Sequence, residues 1–256
     1  VHEFTKIESI FVRHRNCLLL RGQFTPIFTD YYLHLMQFGH KYPPELDHCL
    51  KELLGVLTLH LVARPWKETH AWTVNLRAPR VNFFATGNSV EEAIAGRLFL
   101  DDVREPDRDL LYTQVLEHET GKSRNSSLEV NGLQPFRWIE SYYDQSEQRP
   151  CRAFDLGDEN FALVTGQPDF DKEWFEGLDE NLVRAISETE ETKILETRKF
   201  RFHCGCSLER ILPVLKGYRD KPDELFAGDP SITINCPRCN ASYLLKREDF
   251  DSKFTP

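Results

Sequence analysis

Cys204-Gly205-Cys206 and, after 29 further residues, Cys236-Pro237-Arg238-Cys239 form the pair of motifs around which the C-terminal part of the chain is expected to fold. Four thiolates in two close pairs suit a tetrahedral Zn²⁺ ion. The second pair has the usual knuckle spacing, whereas Gly205 alone separates the first pair and lets the backbone bend tightly. We therefore predict one Zn²⁺ site whose ligands are Cys204, Cys206, Cys236 and Cys239.

The segment around these motifs, residues 198–256, is too short to bury a large core of its own. Metal binding would therefore supply much of its folding free energy. The segment carries 11 Lys+Arg and 8 Asp+Glu, a balance of +3 that offsets the formal charge of about −2 on a divalent ion with four thiolates. A polyanion-binding patch is the weaker explanation of the same basic residues.

Two interpretations of the cysteine site stay open from its spacing. The first is a static structural ribbon. The second is a redox switch, in which oxidation removes the thiolates, zinc leaves and the small domain unfolds. The spacing favours neither interpretation, so the choice depends on the rest of the chain.

The segment before the site, residues 178–197, is acidic, with 6 Asp+Glu against 2 Lys+Arg. Leu182, Val183 and Ile186 give it one weak apolar edge. Such a segment buries little surface, so we predict a metastable linker with one short helix. Its release would uncover apolar surface on the body, and exposed apolar surface binds other exposed apolar chains. This favours the switch.

The body, residues 1–177, contains both helical and alternating apolar patterns. Helices are expected at 26–39, 44–63 and 135–145, and leucines recur at the helical period in the second of them. Strands are expected at 70–77, 82–86, 110–117, 127–130, 152–156 and 161–165. Ser89 and Glu92 could form the capping box of a further short helix.

The predicted fold class is therefore α+β, with a mixed-sheet body, packed helices and a small C-terminal four-cysteine zinc module. In the module, alternation at Phe200 and Phe202 predicts a strand into the first motif, and Ser207 is expected to cap a short helix. The predicted divisions are the body at 1–177, the linker at 178–197 and the zinc module at 198–256.

The composition of the chain disfavours several other classes of protein. A net charge of −9 and a pI of about 5.5 disfavour a general nucleic-acid binder. Seven unevenly spaced cysteines do not resemble a secreted disulfide framework, and no apolar run has transmembrane length. We expect a cytoplasmic protein; because the chain begins at Val1 and its one methionine is Met36, an organellar location stays open.

An enzyme is the minor hypothesis. The sequence has no Gly-x-Ser-x-Gly or Cys–His signature, and Gly87-Asn88-Ser89 is not followed by the Gly-Lys-Ser/Thr of a phosphate loop. Histidines such as His34 and His40 form no i, i+4 pair with a third ligand, so we expect surface or structural roles. His203, beside the first motif, could donate to a thiolate.

The residues of both cysteine motifs resemble the heat shock protein 33 family, including the residues that flank them, Ser207, Glu209-Arg210, Asn240 and Tyr243. The body adds further matches at Lys41-Tyr42-Pro43-Pro44, at 50–54, at 139–143 and at Ser146-Glu147-Gln148-Arg149-Pro150. The resemblance covers nearly the whole chain. The stretch between Asp169 and Arg198 is shorter than the family's usual linker.

The resemblance implies a reduced resting state that holds one Zn²⁺ ion. It implies that oxidation forms Cys204–Cys206 and Cys236–Cys239 disulfides, releases zinc and unfolds the linker. The product would be an ATP-independent holdase, often dimeric, that binds unfolding client proteins under stress. Neither a specific nucleic acid nor a membrane is expected as a partner.

A zinc-ribbon binding module is the alternative hypothesis. Its zinc would be purely structural, and it would contact RNA or a protein partner through basic side chains. The candidate contacts are Arg198, Arg201, Lys216, Arg219, Arg238 and Arg247. Such a ribbon should keep its zinc through mild oxidation, whereas a switch should not.

Overall fold

A ten-stranded mixed sheet forms the centre of the molecule. The computed structural model describes residues 3–101 and 103–254. The strands of the sheet are β1 (Thr5–Val12), β2 (Cys17–Gln23), β3 (Glu68–Leu76), β4 (Val81–Asn88), β5 (Ala93–Phe99), β6 (Leu110–Glu117), β7 (Ser123–Glu129), β8 (Cys151–Asp155), β9 (Asn160–Gly166) and β10 (Thr192–Phe202). Their order across the sheet is β7-β6-β3-β4-β5-β10-β1-β2-β9-β8. Strands β5 and β10 pair in parallel, and the other neighbours are antiparallel.

Helices cover both faces of this sheet. One face carries α1 (Thr25–Gln37), α2 (Pro44–Val62) and α3 (Pro135–Tyr142), which continues as a π-helical turn over Tyr143–Glu147. The other face carries α4 (Lys172–Glu176) and α5 (Glu180–Thr189). The predicted α+β fold class is therefore confirmed.

The C-terminal module is a small layer of short elements. It contains α6 (Leu208–Ile211), a 3₁₀ helix (Leu212–Tyr218), α7 (Pro222–Phe226), a hairpin of β11 (Ser231–Asn235) with β12 (Ser242–Lys246), and α8 (Arg247–Phe254). Its own core is built on four buried side chains, Leu212, Phe226, Leu245 and Phe250. Because that core is so small, the module depends on further stabilisation, either from a metal or from the body.

Helix α2 organises the main core. Its predicted leucine stripe is buried along the whole helix, from Leu46 at 7% exposure to Leu61 at 1%. Gly55 lies where α2 crosses β9, and a side chain at this position would overlap the ring of Phe161. The close crossing lets α2 pack against both halves of the sheet.

Helix α5 confirms the short helix predicted in the acidic segment. Asp179 caps it by accepting from the Leu182 amide at 2.8 Å, and Val183 and Ile186 are each 1% exposed. These side chains cover an apolar cluster on the second face of the sheet, and this cluster includes Ile10, Val12 and Leu19. The acidic segment therefore buries an apolar stripe in this structure.

The second half of the predicted linker lies in the sheet. Residues 192–197 belong to β10, which pairs with β1 on one side and, at Arg201 and Phe202, with β5 on the other. Strand β10 thus crosses the predicted boundary between linker and module. The division into 1–177, 178–197 and 198–256 stays a prediction, and its ends at residues 1–2 and 255–256 lie outside the described residues.

Local structure differs from the predictions at a few places. The capping box at Ser89 and Glu92 is wrong, because the Asn88 side chain accepts from the Val90 and Glu91 amides and closes a turn into β5. Ser89 instead bonds the Glu68 amide, at 2.9 Å. Strands β1, β2 and β5 and helices α4 and α8 were not predicted. Within the described ranges, no helix has both the length and the apolarity needed to cross a bilayer.

Candidate metal centre

The fold brings the four predicted cysteines together. Their sulfur atoms all lie within 4.8 Å of one another, with 3.7 Å between Cys204 and Cys236 and 3.5 Å between Cys206 and Cys239. A tetrahedral ion with Zn–S bonds of about 2.3 Å separates its sulfurs by about 3.8 Å. The donor set and its spacing therefore fit a metal ion of this kind.

The first knuckle, residues 204–206, follows directly from β10. Gly205 has a φ of +64°, the left-handed conformation that glycine adopts without strain. Arg210 donates to the Gly205 carbonyl at 2.7 Å, and Arg238 donates to the Cys204 carbonyl at 3.1 Å. Ser207 caps α6 as predicted, accepting from the Arg210 amide. Side chains of the module itself thus fix the backbone of this knuckle.

The second knuckle, residues 236–239, is the turn that joins β11 to β12. The Cys236 amide donates to the Ala241 carbonyl at 2.8 Å, and the Asn240 amide donates back to the Cys236 carbonyl at 2.9 Å. Asn240 closes the turn with a left-handed φ of 66°, a conformation that asparagine tolerates. Cys236 and Cys239 are each 1% exposed, while Cys204 and Cys206 are half-buried.

The electrostatics of the bare sulfurs show what the site requires. The contact with Cys236 raises the pKa of the Cys204 thiol to about 12. Contacts with Cys204 and Cys236 likewise raise the pKa of Cys239, whereas contacts with Cys204 and Cys239 lower the pKa of Cys236. Like charges repel at this range, so adjacent thiolates destabilise one another unless a positive charge lies among them. A bound cation is needed to keep all four ionised.

Tyr243 lies against the first knuckle from β12. Its hydroxyl is 3.1 Å from the Cys206 sulfur and 3.0 Å from the Cys206 carbonyl oxygen. A hydroxyl carries one proton, so it donates to one of these atoms at a time. When Cys206 is a thiolate, donation to the sulfur would stabilise its charge.

Three side chains of the body contact the second knuckle, and sequence reasoning missed them. His34 Nε2 lies 2.7 Å from the Cys239 carbonyl oxygen, and His40 Nε2 lies 2.7 Å from that of Asn240. Arg97 donates to the Cys236 carbonyl at 3.2 Å. The spacing of the histidines in the sequence does not reveal these contacts, because the side chains bind backbone atoms that are distant along the chain.

The structure does not show the predicted donation from His203 to a cysteine sulfur. The His203 ring lies beside Gly205, and in the described part of the chain it makes no hydrogen bond to a sulfur. The other cysteines, Cys17, Cys49 and Cys151, are buried apart from the site. Burial raises the pKa of all three thiols, that of Cys17 to about 12. They are therefore poor nucleophiles and metal ligands.

The basic residues of the alternative hypothesis are partly engaged inside the molecule. Arg198 pairs with Glu92 at 2.8 Å, Arg247 bonds Asp223 at 2.6 Å, and Arg238 bonds the first knuckle. Side chains that hold their own fold are less available for a polyanion. The site itself has the chemistry of a soft metal centre whose ligands are also oxidisable.

Comparisons with known proteins point to one family. The family model described as Hsp33 protein matches residues 155–246. Two curated relatives named 33 kDa chaperonin match parts of the chain: the one from Methylobacillus flagellatus is 29% identical over 76 residues, and the one from Photobacterium profundum is 32% identical over 84 residues. These matches cover 29% and 32% of this chain. The chain spans about a quarter of the length of these relatives, 26% and 27%.

The fold is similar over nearly the full length. The crystal structure of the 33 kDa chaperonin (Heat shock protein 33 homolog) from Thermotoga maritima superposes with a TM-score of 0.72. The superposition covers 99% of this chain and 98% of that one, at 14% sequence identity. The resemblance predicted from the cysteine motifs is therefore confirmed over residues 155–246, which match the Hsp33 family model, and nearly the whole chain is similar in fold to the Thermotoga maritima protein.

Proposed function

We propose that this protein is a redox-regulated, ATP-independent holdase that binds unfolding proteins after oxidation of Cys204, Cys206, Cys236 and Cys239. The observation that carries the proposal is the cluster of these four sulfurs within 4.8 Å. In the reduced state they would hold one Zn²⁺ ion, which supplies the positive charge that keeps four thiolates ionised side by side. Such a site suits a reducing compartment such as the cytoplasm.

A peroxide can convert each cysteine pair to a disulfide in two steps. One thiolate displaces hydroxide from the peroxide and becomes a sulfenic acid, and its neighbour then attacks this sulfur and releases a second hydroxide. The pair loses two electrons and forms one S–S bond of about 2 Å. The proposed pairs are Cys204 with Cys206 and Cys236 with Cys239, and each disulfide removes two metal ligands.

The short chain connection between α5 and the first knuckle supports a coupling between this site and the body. The first knuckle continues β10, and β10 follows α5 after only two residues. Loss of the metal would remove the bonds that join the two knuckles, so unfolding at the start of the module can spread to β10 and α5 along the backbone.

The cluster beneath α4 and α5 is the proposed client surface. Phe175, Leu178, Val183 and Ile186 cover it in this structure. If the two helices leave, an apolar face is exposed on strands of the body; the side chains beneath are Ile10, Val12, Cys17, Leu19, Phe154, Leu156, Ala162 and Val164. A contiguous apolar face of this kind binds exposed apolar segments of other chains.

Cysteine variants test the proposal. Cys236→Ser should bind zinc poorly when reduced and should show no peroxide-dependent gain in suppressing aggregation of a heated client. Cys151→Ser, at a buried cysteine outside the site, is the matched control and should behave as wild type. Retention of the full peroxide response by Cys236→Ser would contradict the proposal.

A further inference from the structure

The second knuckle is docked on the body by three side-chain hydrogen bonds. The donors are His34 and His40 from α1 and the loop after it, and Arg97 from β5. The acceptors are the carbonyls of Cys236, Cys239 and Asn240, all on one tight turn. Because a carbonyl only accepts, both histidine rings carry their proton on Nε2.

Asn240 binds both nitrogens of the His40 ring. Its carbonyl accepts from Nε2 at 2.7 Å, and its side-chain Nδ2 lies 3.3 Å from Nδ1, where it donates. This arrangement requires the left-handed backbone of Asn240, which in turn depends on the bonds that close the knuckle. The partner surface for His40 therefore exists only while the knuckle is closed.

The second knuckle is buried more deeply against the body than the first, whose Cys204 and Cys206 pack against the same apolar cluster but are only partly buried. Cys236, Cys239 and Ala241 are each 1% exposed and belong to the same apolar cluster as α1 and α2. The carbonyls of the first knuckle are instead bonded by Arg210 and Arg238 of the module. The body thus contacts the half of the metal site that has the more buried ligands.

We propose that His34, His40 and Arg97 are positioning residues that couple metal retention to docking of the module on the body. The inference rests on the proposed zinc-dependent function. A closed knuckle presents three carbonyls to the body, and a docked body holds the knuckle closed, so each state stabilises the other by the same factor. This route to the body runs through α1 and β5, separately from the acidic segment 178–197.

Opening of the knuckle would leave His34 and His40 without these acceptors and would leave Arg97 with only the Leu98 carbonyl, at 3.3 Å from its Nε. His34 is half-buried between the rings of Phe38 and Phe202, and Arg97 is half-buried over the ring of Phe99. Donors in such places are costly to leave unbonded. The body therefore resists opening as long as the metal is bound and rearranges once it is lost.

Zinc transfer from the reduced full-length chain to a chromophoric chelator tests the coupling. We expect the double variant His34→Ala, His40→Ala to release zinc about tenfold faster than wild type, which corresponds to about 1.4 kcal/mol. His48→Ala is the matched control, since this histidine pairs with Glu52 on α2, and its rate should be unchanged. His40→Gln keeps a side-chain donor at this position, so its rate of zinc release should stay close to that of wild type.

Hydrogen exchange at residues 236–241 in the same samples separates docking from a general loss of stability. The double variant should lose protection there while α2 keeps its own. Wild-type zinc release together with wild-type exchange at 236–241 in the double variant would overturn the inference. A wild-type chain that binds no zinc would overturn the proposed function itself, a result visible before any variant is compared.

Discussion

At the scale of single residues, backbone conformation at the two knuckles places the sulfurs. Gly205 and Asn240 both adopt left-handed φ values, 64° and 66°, and each lies next to metal-ligand candidates. The first position excludes a side chain more strictly, since a Cβ at Gly205 would meet Arg210 at 3.2 Å and His203 at 3.5 Å. Gly205 is thus favoured mainly by its backbone conformation, since the end of the Arg210 side chain need move only a few tenths of an ångström to admit a Cβ.

Gly205→Ala should destabilise the module by about 1–2 kcal/mol, the cost of a left-handed conformation for a residue with a Cβ. Zinc should be lost at lower chelator concentration as a result. Gly217→Ala is the matched control, because Gly217 has open space around it and no left-handed φ. Equal zinc retention in the two variants would show that Gly205 is not a conformational requirement.

The Tyr243 hydroxyl gives a second prediction at this scale. Tyr243→Phe removes the donor that lies 3.1 Å from Cys206. We expect zinc affinity to fall about 10-fold or more, as is usual when a partner of a metal ligand is removed. Competition with a chelator measures the change, and Tyr218→Phe, at a tyrosine that is 41% exposed, should leave the affinity unaltered.

Glu68 provides a pH-dependent prediction that is independent of the metal. Burial alone would raise the pKa of its carboxyl, but hydrogen bonds from His70 and Arg64 outweigh burial and hold the pKa at about 2. The folded pKa lies below the ordinary 4.5. The carboxylate therefore stabilises the fold fully above pH 4.5, and this contribution is lost as the pH falls towards 2.

Glu68→Gln should cost about 3 kcal/mol of unfolding free energy at pH 7, and the difference from wild type should shrink below pH 4.5. Denaturant unfolding followed by the fluorescence of the four tryptophans measures this. Glu129→Gln serves as the control, since the Glu129 side chain is 63% exposed. A difference between wild type and Glu68→Gln that does not vary with pH would contradict the account.

At the scale of elements, α5 is held at its C-terminal end by the turn between β1 and β2. Arg15 donates to Glu190 through Nε and one terminal nitrogen, at 3.1 Å each, and to Asp171 at 2.6 Å. Asp171 and Glu190 flank the segment that contains α4 and α5. Arg15 therefore binds both ends of the segment that covers the apolar cluster.

Arg15→Gln should speed hydrogen exchange in residues 172–189 of the reduced protein, because both ends of the segment lose their charged partner. Arg13→Gln is a matched control: Arg13 pairs with Glu191, but both side chains are about half exposed, 51% and 52%, and exposed pairs contribute little. Unchanged exchange in Arg15→Gln would mean that apolar packing alone holds α5.

The apolar side of α5 gives the complementary prediction. Ile186→Ala removes a side chain that is 1% exposed and should weaken packing of the helix by about 3 kcal/mol. We expect this variant to suppress client aggregation partly without oxidation, in a light-scattering assay. Leu182→Ala on the same helix, at a side chain that is 46% exposed, should stay inactive until oxidised.

At the scale of the whole molecule, local patterns in the sequence predicted those elements whose periodicity is local. The leucines of α2 and the alternation in β3 are examples, since each repeats within its own element. Strand β10 was only partly predicted. Its residues 192–197 look acidic and weakly apolar, and they form a strand because β1, far away in sequence, supplies the pairing edge.

The same distinction applies to the site. Two motifs with close spacing identified the four cysteines, because a metal site of this type needs paired thiolates. The docking residues His34, His40 and Arg97 could not be predicted, because what they bind is the backbone of a turn some 140 to 200 residues away along the chain. Such contacts depend on the tertiary fold and leave no pattern in the residue types.

One time course tests whether zinc release activates the protein as a holdase. Zinc release and light scattering of a heat-denatured client are followed together, before and after peroxide is added to the reduced full-length chain at raised temperature. We expect that about one zinc per chain is released and that suppression of aggregation appears with it. Zinc that is retained after peroxide, or released with no gain in suppression, would contradict the switch and leave the zinc module with a structural role.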